Sequence, residues 1–334
     1  MPYGKKISII GAGGWGTALA ILLAENKHNV TLYEYFEDYT QFLNKTRENL
    51  KFLPGVQIPK SIEITNSLHL ALHNIDILIL AVPSKYLRNI LRRISKIKIS
   101  KKVIVLSVIK GIDYKTLDRI SVVISKELNL NGRIAVLSGP SHAEEVSRKV
   151  PTVVVIASKN KEMANMLQKV FSNNYFRVYT SYDVIGVELG GALKNVISLA
   201  KGILDGIGTG DNTKAALITR GLIEIKRLAS QMGARPDTLN GLSGIGDLIV
   251  TCMSKYSRNR MVGERIGKGE KLKDILISME MVAEGITTTK TCYKISKTYN
   301  LEMPITKEVY NVLFKDKSPI KAISNLMQRK LKSE

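Results

Sequence analysis

The chain has 334 residues, 44% of them hydrophobic and 24% charged, which suits a globular protein of two domains at about 100–200 residues each. Two cysteines, Cys252 and Cys292, make no disulfide framework and fit a reducing cytosol, while the leading run Ile7-Ser-Ile-Ile10 is too short for a signal peptide and no run reaches the ~18 apolar residues of a span. The net charge of +21 suits anionic metabolites, but the basic residues are spread out and aromatics are only 6%, so the stacking surface of a nucleic-acid binder is missing.

Short β-rich runs alternate with helical spacing through the first half. Strands are expected at 6–10, 29–34, 75–82, 102–109, 133–137 and 152–157, with 177–180 as an edge strand. Runs such as Ile77-Leu-Ile-Leu-Ala-Val82 are apolar on both faces, as a parallel strand covered by helices should be. From about Asp183 the rhythm changes to helical segments at 184–204, 212–232, 261–267, 272–278, 287–299, 305–314 and 318–328, with no strand among them. The fold class is therefore α/β: a Rossmann, doubly wound sheet over 1–183 and an all-α domain over 184–334 packed directly on it.

The first motif follows the first strand. Gly11-Ala-Gly13-Gly14-Trp15-Gly16 is G-x-G-x-x-G between a strand and a helix, with Glu34 ending the second strand. Gly11 serves the tight turn, Gly13 the approach of a pyrophosphate to a helix N-terminus, and Gly16 close helix–strand packing. A carboxylate at Glu34 would take the adenosine ribose hydroxyls and repel a 2′-phosphate, which favours NAD over NADP.

Three further segments sit at strand C-terminal ends, where an open α/β sheet binds its ligand: Ala81-Val-Pro-Ser84, Val108-Ile-Lys110-Gly111 and Ser138-Gly139-Pro-Ser141-His142-Ala143. Lys110 is thereby placed at the nicotinamide end. In Glu188-Leu-Gly-Gly-Ala-Leu-Lys194-Asn195, two glycines inside a helix cost about 1 kcal/mol each against alanine, a sign that backbone or ligand comes close. The apolar flanks of Lys194 point to burial and a lowered pKa. Gly244-Ile-Gly-Asp247 and Thr251 follow. Then Ser257 reads as a helix N-cap with Arg258 and Asn259 in the first turn, a set of groups that binds an oxyanion such as phosphate. The four histidines show no metal-ligand spacing, and no metal is required.

In this order, the motifs GxGxWG, AVPS, KG, SGPSxAxEV, ELGGALKNV, GDNTKAALITRG, GxGDLxxTCxSxxSRNRxxG and AEGxTT resemble those of bacterial-type NAD(P)-dependent glycerol-3-phosphate dehydrogenases across essentially the whole chain. The resemblance implies reversible hydride transfer between NAD(P)H and dihydroxyacetone phosphate, giving sn-glycerol 3-phosphate for glycerophospholipids in the cytoplasm. It assigns proton transfer to Lys194, cofactor and substrate contact to Lys110, and ordering of the lysine and the substrate hydroxyls to Asp247. Arg258 and Asn259 become the phosphate clamp, with Ser257 and Asn195 beside it, Thr251 a supporting hydroxyl, and Gly139 and Ser141 on the substrate side. Gly14, Trp15, Ala143, Val282 and Glu284 match cofactor contacts, joined by Tyr35 and Arg258.

Three departures stand out. Gly14 replaces a common serine or alanine, which would lose only a side-chain hydrogen bond; His142 replaces a phenylalanine and is expected to pack; and Tyr35 replaces an arginine or histidine, which again favours NAD. A β-hydroxyacid dehydrogenase is the enzymatic alternative, and a basic nucleic-acid-binding protein the non-enzymatic one. The expected partner is a small phosphorylated substrate, with no membrane span and no nucleic acid, and a homodimer is the default assembly.

Overall fold

A computed structural model describes residues 4–130, 132–331 and 333. The strands are β1 (Lys6–Ile10), β2 (Asn29–Tyr33), β3 (Glu48–Asn49), β4 (Leu53–Gln57), β5 (Glu63–Thr65), β6 (Ile77–Leu80), β7 (Ile104–Ser107), β8 (Ile134–Ser138), β9 (Thr152–Ala157) and β10 (Phe176–Ser181). Eight form one sheet in the order β10-β9-β8-β7-β6-β1-β2-β5, and β3 pairs with β4 apart from it. All four residues of β6 are buried, because helices cover both faces. These helices are α1 (Gly14–Glu25), α2 (Glu37–Thr46), α3 (Leu68–Ala71), α4 (Leu87–Ile94), α5 (Ile120–Leu128), α6 (Ala143–Val146) and α7 (Lys161–Phe171).

From β5 to β8 every pairing is parallel. The chain leaves β1 for β2 on one side and later returns to β6 on the other. The crevice outside the ends of β1 and β6 is therefore the switch point at which such sheets bind ligands. The sheet and its edge strand β10 are as expected, with two differences. β9 runs antiparallel to β8, with β10 parallel to β9, a reversal that apolar runs cannot signal. The short β5 and the β3–β4 hairpin carry too few apolar positions to show a period.

The helical part begins at α8 (Val184–Ile207), whose N-cap Asp183 accepts the Gly186 N–H at 2.9 Å and which ends on Gly208 in the left-handed conformation, φ 81°. Around it lie α9 (Asp211–Gln231), α10 (Asp247–Met253), α11 (Arg258–Gly267), α12 (Leu272–Ile277), α13 (Glu284–Thr298), α14 (Pro304–Phe314) and α15 (Pro319–Met327). Every residue of α8 from Gly186 to Ala200 is buried, so it is the core helix, apolar on most sides. Helices α11 and α13 start three residues before the expected spans, on Arg258-Asn259-Arg260 and Glu284-Gly285-Ile286.

Two carboxylates, the buried Glu188 and the half-buried Glu284, tie the helical part to the first part. Glu188 accepts the Ser121 N–H at 2.7 Å and the Ser121 hydroxyl and Arg119 guanidinium at 2.6 Å each. Glu284, at the start of α13, accepts the Ser84 N–H at 2.8 Å and its hydroxyl at 2.6 Å. Among the described residues no helix is long and apolar enough to cross a membrane.

Candidate active site

A cleft of about 1320 Å³ runs from the ends of β1 and β2 to the middle of α8. That exceeds the roughly 300–1,000 Å³ of an ordinary small-molecule pocket and leaves room for an elongated ligand with a second molecule at its end.

At one end the walls are backbone. Gly11 has φ 115°, and a Cβ there would lie 2.9 Å from the Ala81 carbonyl oxygen, so the turn needs glycine. A Cβ on Gly13 would meet no protein atom within 4 Å. Packing does not demand glycine there, and close approach of a ligand does. Gly13 caps α1 without a side-chain bond, leaving N–H groups at the positive helix end for an anion. Trp15 adds an indole N–H that is buried without a protein partner among the described residues. This donor set fits a dinucleotide pyrophosphate.

The loop itself is held by Asn49, fully buried in the β3–β4 hairpin. Its amide donates to the Ala12 carbonyl at 2.8 Å and to Thr17 Oγ1 at 2.7 Å, and accepts from the Tyr39 hydroxyl at 2.7 Å. Gly16 does not line the cleft; a Cβ there would fall 1.9 Å from the Gly11 carbonyl oxygen, so its part is helix–strand packing. Gly14 corrects the sequence reading. A Cβ would sit 2.6 Å from the Phe52 carbonyl oxygen, so serine or alanine would clash with this hairpin rather than gain or lose a hydrogen bond.

Glu34 follows β2 at 7% exposure and lines the cleft, so it is no solvated surface acid. Burial pushes its carboxyl above the ordinary value, opposed by the Phe36 N–H at 3.0 Å. Tyr35 beside it is exposed. Arg47, a cation that could have reached this end, instead bonds the Pro59, Ile62 and Ile58 carbonyls.

At the other end the walls are charges. Asp247 opens α10 and is 1% exposed. Its Oδ1 lies 2.8 Å from Lys194 Nζ and its Oδ2 2.8 Å from Lys110 Nζ. Burial alone would raise the Asp247 carboxyl, but the two lysines outweigh it and hold it below the usual carboxylate range. Lys194 also donates to Thr251 Oγ1, which in turn donates to the Asp247 carbonyl at 2.6 Å. Burial is the largest cause lowering Lys194 to about 8; Asp247 opposes it and Lys110 adds to it. Burial is the cause to which the apolar flanks of Lys194 pointed in the sequence.

The two glycines before Lys194 explain how it gets there. A Cβ on Gly190 would fall 2.3 Å from the Ser243 carbonyl oxygen, and one on Gly191 2.2 Å from Ser138 Oγ. The wide turn Leu242–Gly246 and the end of β8 thus press against α8 and bring Asp247 and Lys110 to the lysine. Lys110 donates further to the Gly139 carbonyl at 2.9 Å, and the Ser141 hydroxyl donates to that carbonyl at 2.9 Å. Gly139 itself does not line the cleft and positions Lys110 through its carbonyl.

Asn195 donates to the Lys110 carbonyl at 3.2 Å and accepts from Asn259 at 2.9 Å, and Asn259 accepts the Gly285 N–H at 2.9 Å. Ser257 caps α11 by accepting the Arg260 N–H at 3.2 Å, as its sequence position suggested. Next to it Arg258 is open to solvent within the cleft and has no hydrogen bond or ion pair among the described residues. His142, against Tyr256 at 5.9 Å between ring centroids, is held at about 4 by burial and the two lysines, so it is neutral near pH 7. Ala143, Val282 and Glu284 complete the wall between the two ends.

A family model described as NAD-dependent glycerol-3-phosphate dehydrogenase N-terminus matches residues 6–164, and its C-terminus counterpart matches 183–324. The chain belongs to the NAD-dependent glycerol-3-phosphate dehydrogenase family. It is 51% identical to a glycerol-3-phosphate dehydrogenase [NAD(P)+] of Bacillus pumilus, over 97% of this chain and 94% of that one. A Geobacillus thermodenitrificans relative of the same name is 48% identical over 99% and 96%. The crystal structure of a glycerol-3-phosphate dehydrogenase from Coxiella burnetii superposes with a TM-score of 0.93 at 36% identity, covering 98% of this chain and all of that one.

In this glycerol-3-phosphate dehydrogenase family member, sequence reasoning passed over Asn49, Arg119, Ser121 and Phe52. Each acts through a partner at least 30 residues away, and no local spacing marks such a residue.

Proposed function

We propose that the cleft binds NADH or NADPH and catalyses the reversible reduction of dihydroxyacetone phosphate to sn-glycerol 3-phosphate, supplying the glycerophospholipid backbone. The observation that carries this reading is the buried Lys194–Asp247 pair, joined by the half-buried Lys110, facing the same cleft as the open helix end at Gly13. In the reducing direction the bound nicotinamide supplies the hydride to the C2 carbonyl carbon. Arg258 and the first turn of α11 hold the substrate phosphate; the Arg258 guanidinium has no protein partner among the described residues. Lys194 hands a proton from Nζ to the oxygen that becomes the alcohol, and takes it back in the oxidising direction. Asp247 holds the two ammonium groups apart and aimed, and Lys110 supports the polarised carbonyl oxygen. A lysine near 8 is still mostly protonated at pH 7 and is a better proton donor than an ordinary lysine. Glu34 receives the adenosine ribose.

The division into a nucleotide-binding part at 1–183 and a catalytic part at 184–334 rests on β10 ending at Ser181 and α8 starting at Val184. A homodimer in the cytoplasm, free of nucleic acid, completes the reading; light scattering tests the assembly and a filter-binding assay at physiological salt the nucleic acid. The enzymatic test is NAD(P)H oxidation with dihydroxyacetone phosphate, beside β-keto acids. Turnover of the keto acids but not of the phosphate would overturn the assignment.

A further inference from the structure

We infer that Arg93 is a specificity-determining residue that receives the 2′-phosphate of NADPH and so lets this enzyme use both cofactors despite Glu34; the inference rests on the cofactor reading above. Helix α4 follows β6 and flanks the switch point, and its Asn89 and Ile90 line the cleft. Arg93 comes four residues after Asn89, hence on the same helix face one turn further along. Its guanidinium carbon lies 4.9 Å from the centre of the Tyr35 ring, and Tyr35 adjoins Glu34 at the adenosine end. The fold thus brings a cation from residue 93 to where the sequence around residue 34 offers none.

A second observation points to a ligand. Arg93 Nη1 and the Tyr33 hydroxyl are buried in the same corner and interact with each other, yet neither makes a well-formed hydrogen bond to a protein group among the described residues. Buried polar atoms ordinarily find partners, and a buried cation more so. A guanidinium stacked on a ring keeps its plane fixed, which suits two-point recognition of a phosphate and lowers the entropy lost on binding. The charges then read as opposed: Glu34 serves the ribose hydroxyls of NADH, and Arg93 offsets its repulsion of a 2′-phosphate. Lys51 also lines the cleft, over the Phe52 ring at 5.5 Å, and its charge acts on Glu34, so it is the rival cation at this end.

The test uses calorimetric binding of adenosine 5′-monophosphate and adenosine 2′,5′-bisphosphate, which differ only in the 2′-phosphate. The wild-type enzyme should bind the two within about tenfold of each other, and Arg93→Gln should weaken the bisphosphate by about tenfold or more, as loss of a charge-assisted bond does, leaving the monophosphate nearly unchanged. Lys51→Gln should leave the ratio as it is. Should Arg93→Gln fail to fold, Arg93→Lys keeps the charge without the fork and should give a partial loss confined to the bisphosphate. An unchanged ratio in the Arg93 variants, equal weakening of both ligands, a shift with Lys51→Gln instead, or a wild-type preference beyond a hundredfold for the monophosphate would each overturn the inference. Binding of neither ligand by the wild type would sink the cofactor reading itself and this inference with it.

Discussion

The two ends of the cleft are built from different materials. Around Gly13 the recognition surface is backbone, and at this end of the cleft Trp15 Nε1, Tyr33 Oη and Arg93 Nη1 make no well-formed hydrogen bond to a protein group among the described residues. Around Lys194 the surface is charge, and Lys194, Lys110, Asp247, Asn195 and Asn259 are already hydrogen-bonded to one another or to nearby backbone. One end is organised by what it binds, while the other is organised in advance by the protein. Preorganised charge in a buried site carries catalysis, so single substitutions should cost most at the charged end and least at the adenosine end.

The sharpest break should come from Lys194→Ala. Losing the proton donor is expected to cut turnover about 10²–10⁴-fold with little change in NADH affinity measured by fluorescence titration. A variant retaining a tenth of normal turnover would remove Lys194 from the proton path. Asp247→Asn probes the same network through its anion. It leaves two lysines facing each other in a buried site, and breaking a buried pair costs about 3–5 kcal/mol. Urea unfolding should register that loss, whereas a midpoint within 0.5 M of wild type (about 1 kcal/mol at typical slopes) would mean the lysines are solvated.

Arg258→Ala should act more gently. Removing a charge-assisted contact costs roughly 1.5–3 kcal/mol in kcat/KM for dihydroxyacetone phosphate. Unphosphorylated dihydroxyacetone lacks that contact and should be almost indifferent. Equal losses on both substrates would make Arg258 a cofactor-facing or structural residue. The pH dependence adds a signed test. Lys194 has its pKa lowered to about 8, so its protonated form is lost as pH rises through that value. Reduction should fall above about pH 8, and oxidation should fall below it, where the base form is scarce. Curves that fail to cross in this sense would contradict the assignment.

The same contrast explains what could be read from the chain. Glycine spacing and apolar runs are local, so the loop at Gly11–Gly16, the strand ends carrying Lys110 and the helix around Lys194 were legible. The N-cap at Ser257 was legible for the same reason, being a property of four consecutive residues. What escaped depends on the packing of distant segments. The hairpin that presses Phe52 on Gly14, the Asn49 amide that holds the loop, and Arg93 on Tyr35 join residues far apart in sequence. Strand direction at β9 escaped too, since an apolar run looks alike in either direction.

The smallest effect, and the finest test of the comparison, lies at Glu34. The wild-type enzyme is expected to favour NADH over NADPH in kcat/KM, because the buried carboxylate serves a ribose with free hydroxyls and repels a phosphate. Two like charges about 8 Å apart at an effective dielectric of about 40 repel by about 1 kcal/mol, or roughly fivefold. Glu34→Ser should therefore move the ratio toward NADPH by about that factor. The single substitution is preferable to one that also places arginine at Tyr35, because the Tyr35 ring carries the Arg93 guanidinium and a second cation would displace it. Glu34 also accepts the Phe36 N–H, so serine, which retains an acceptor, disturbs the turn less than alanine would. A wild-type enzyme that already favours NADPH would show that Arg93, not Glu34, dominates this end. An unchanged ratio in Glu34→Ser would show that the carboxylate is spent on the Phe36 turn and never meets the ribose.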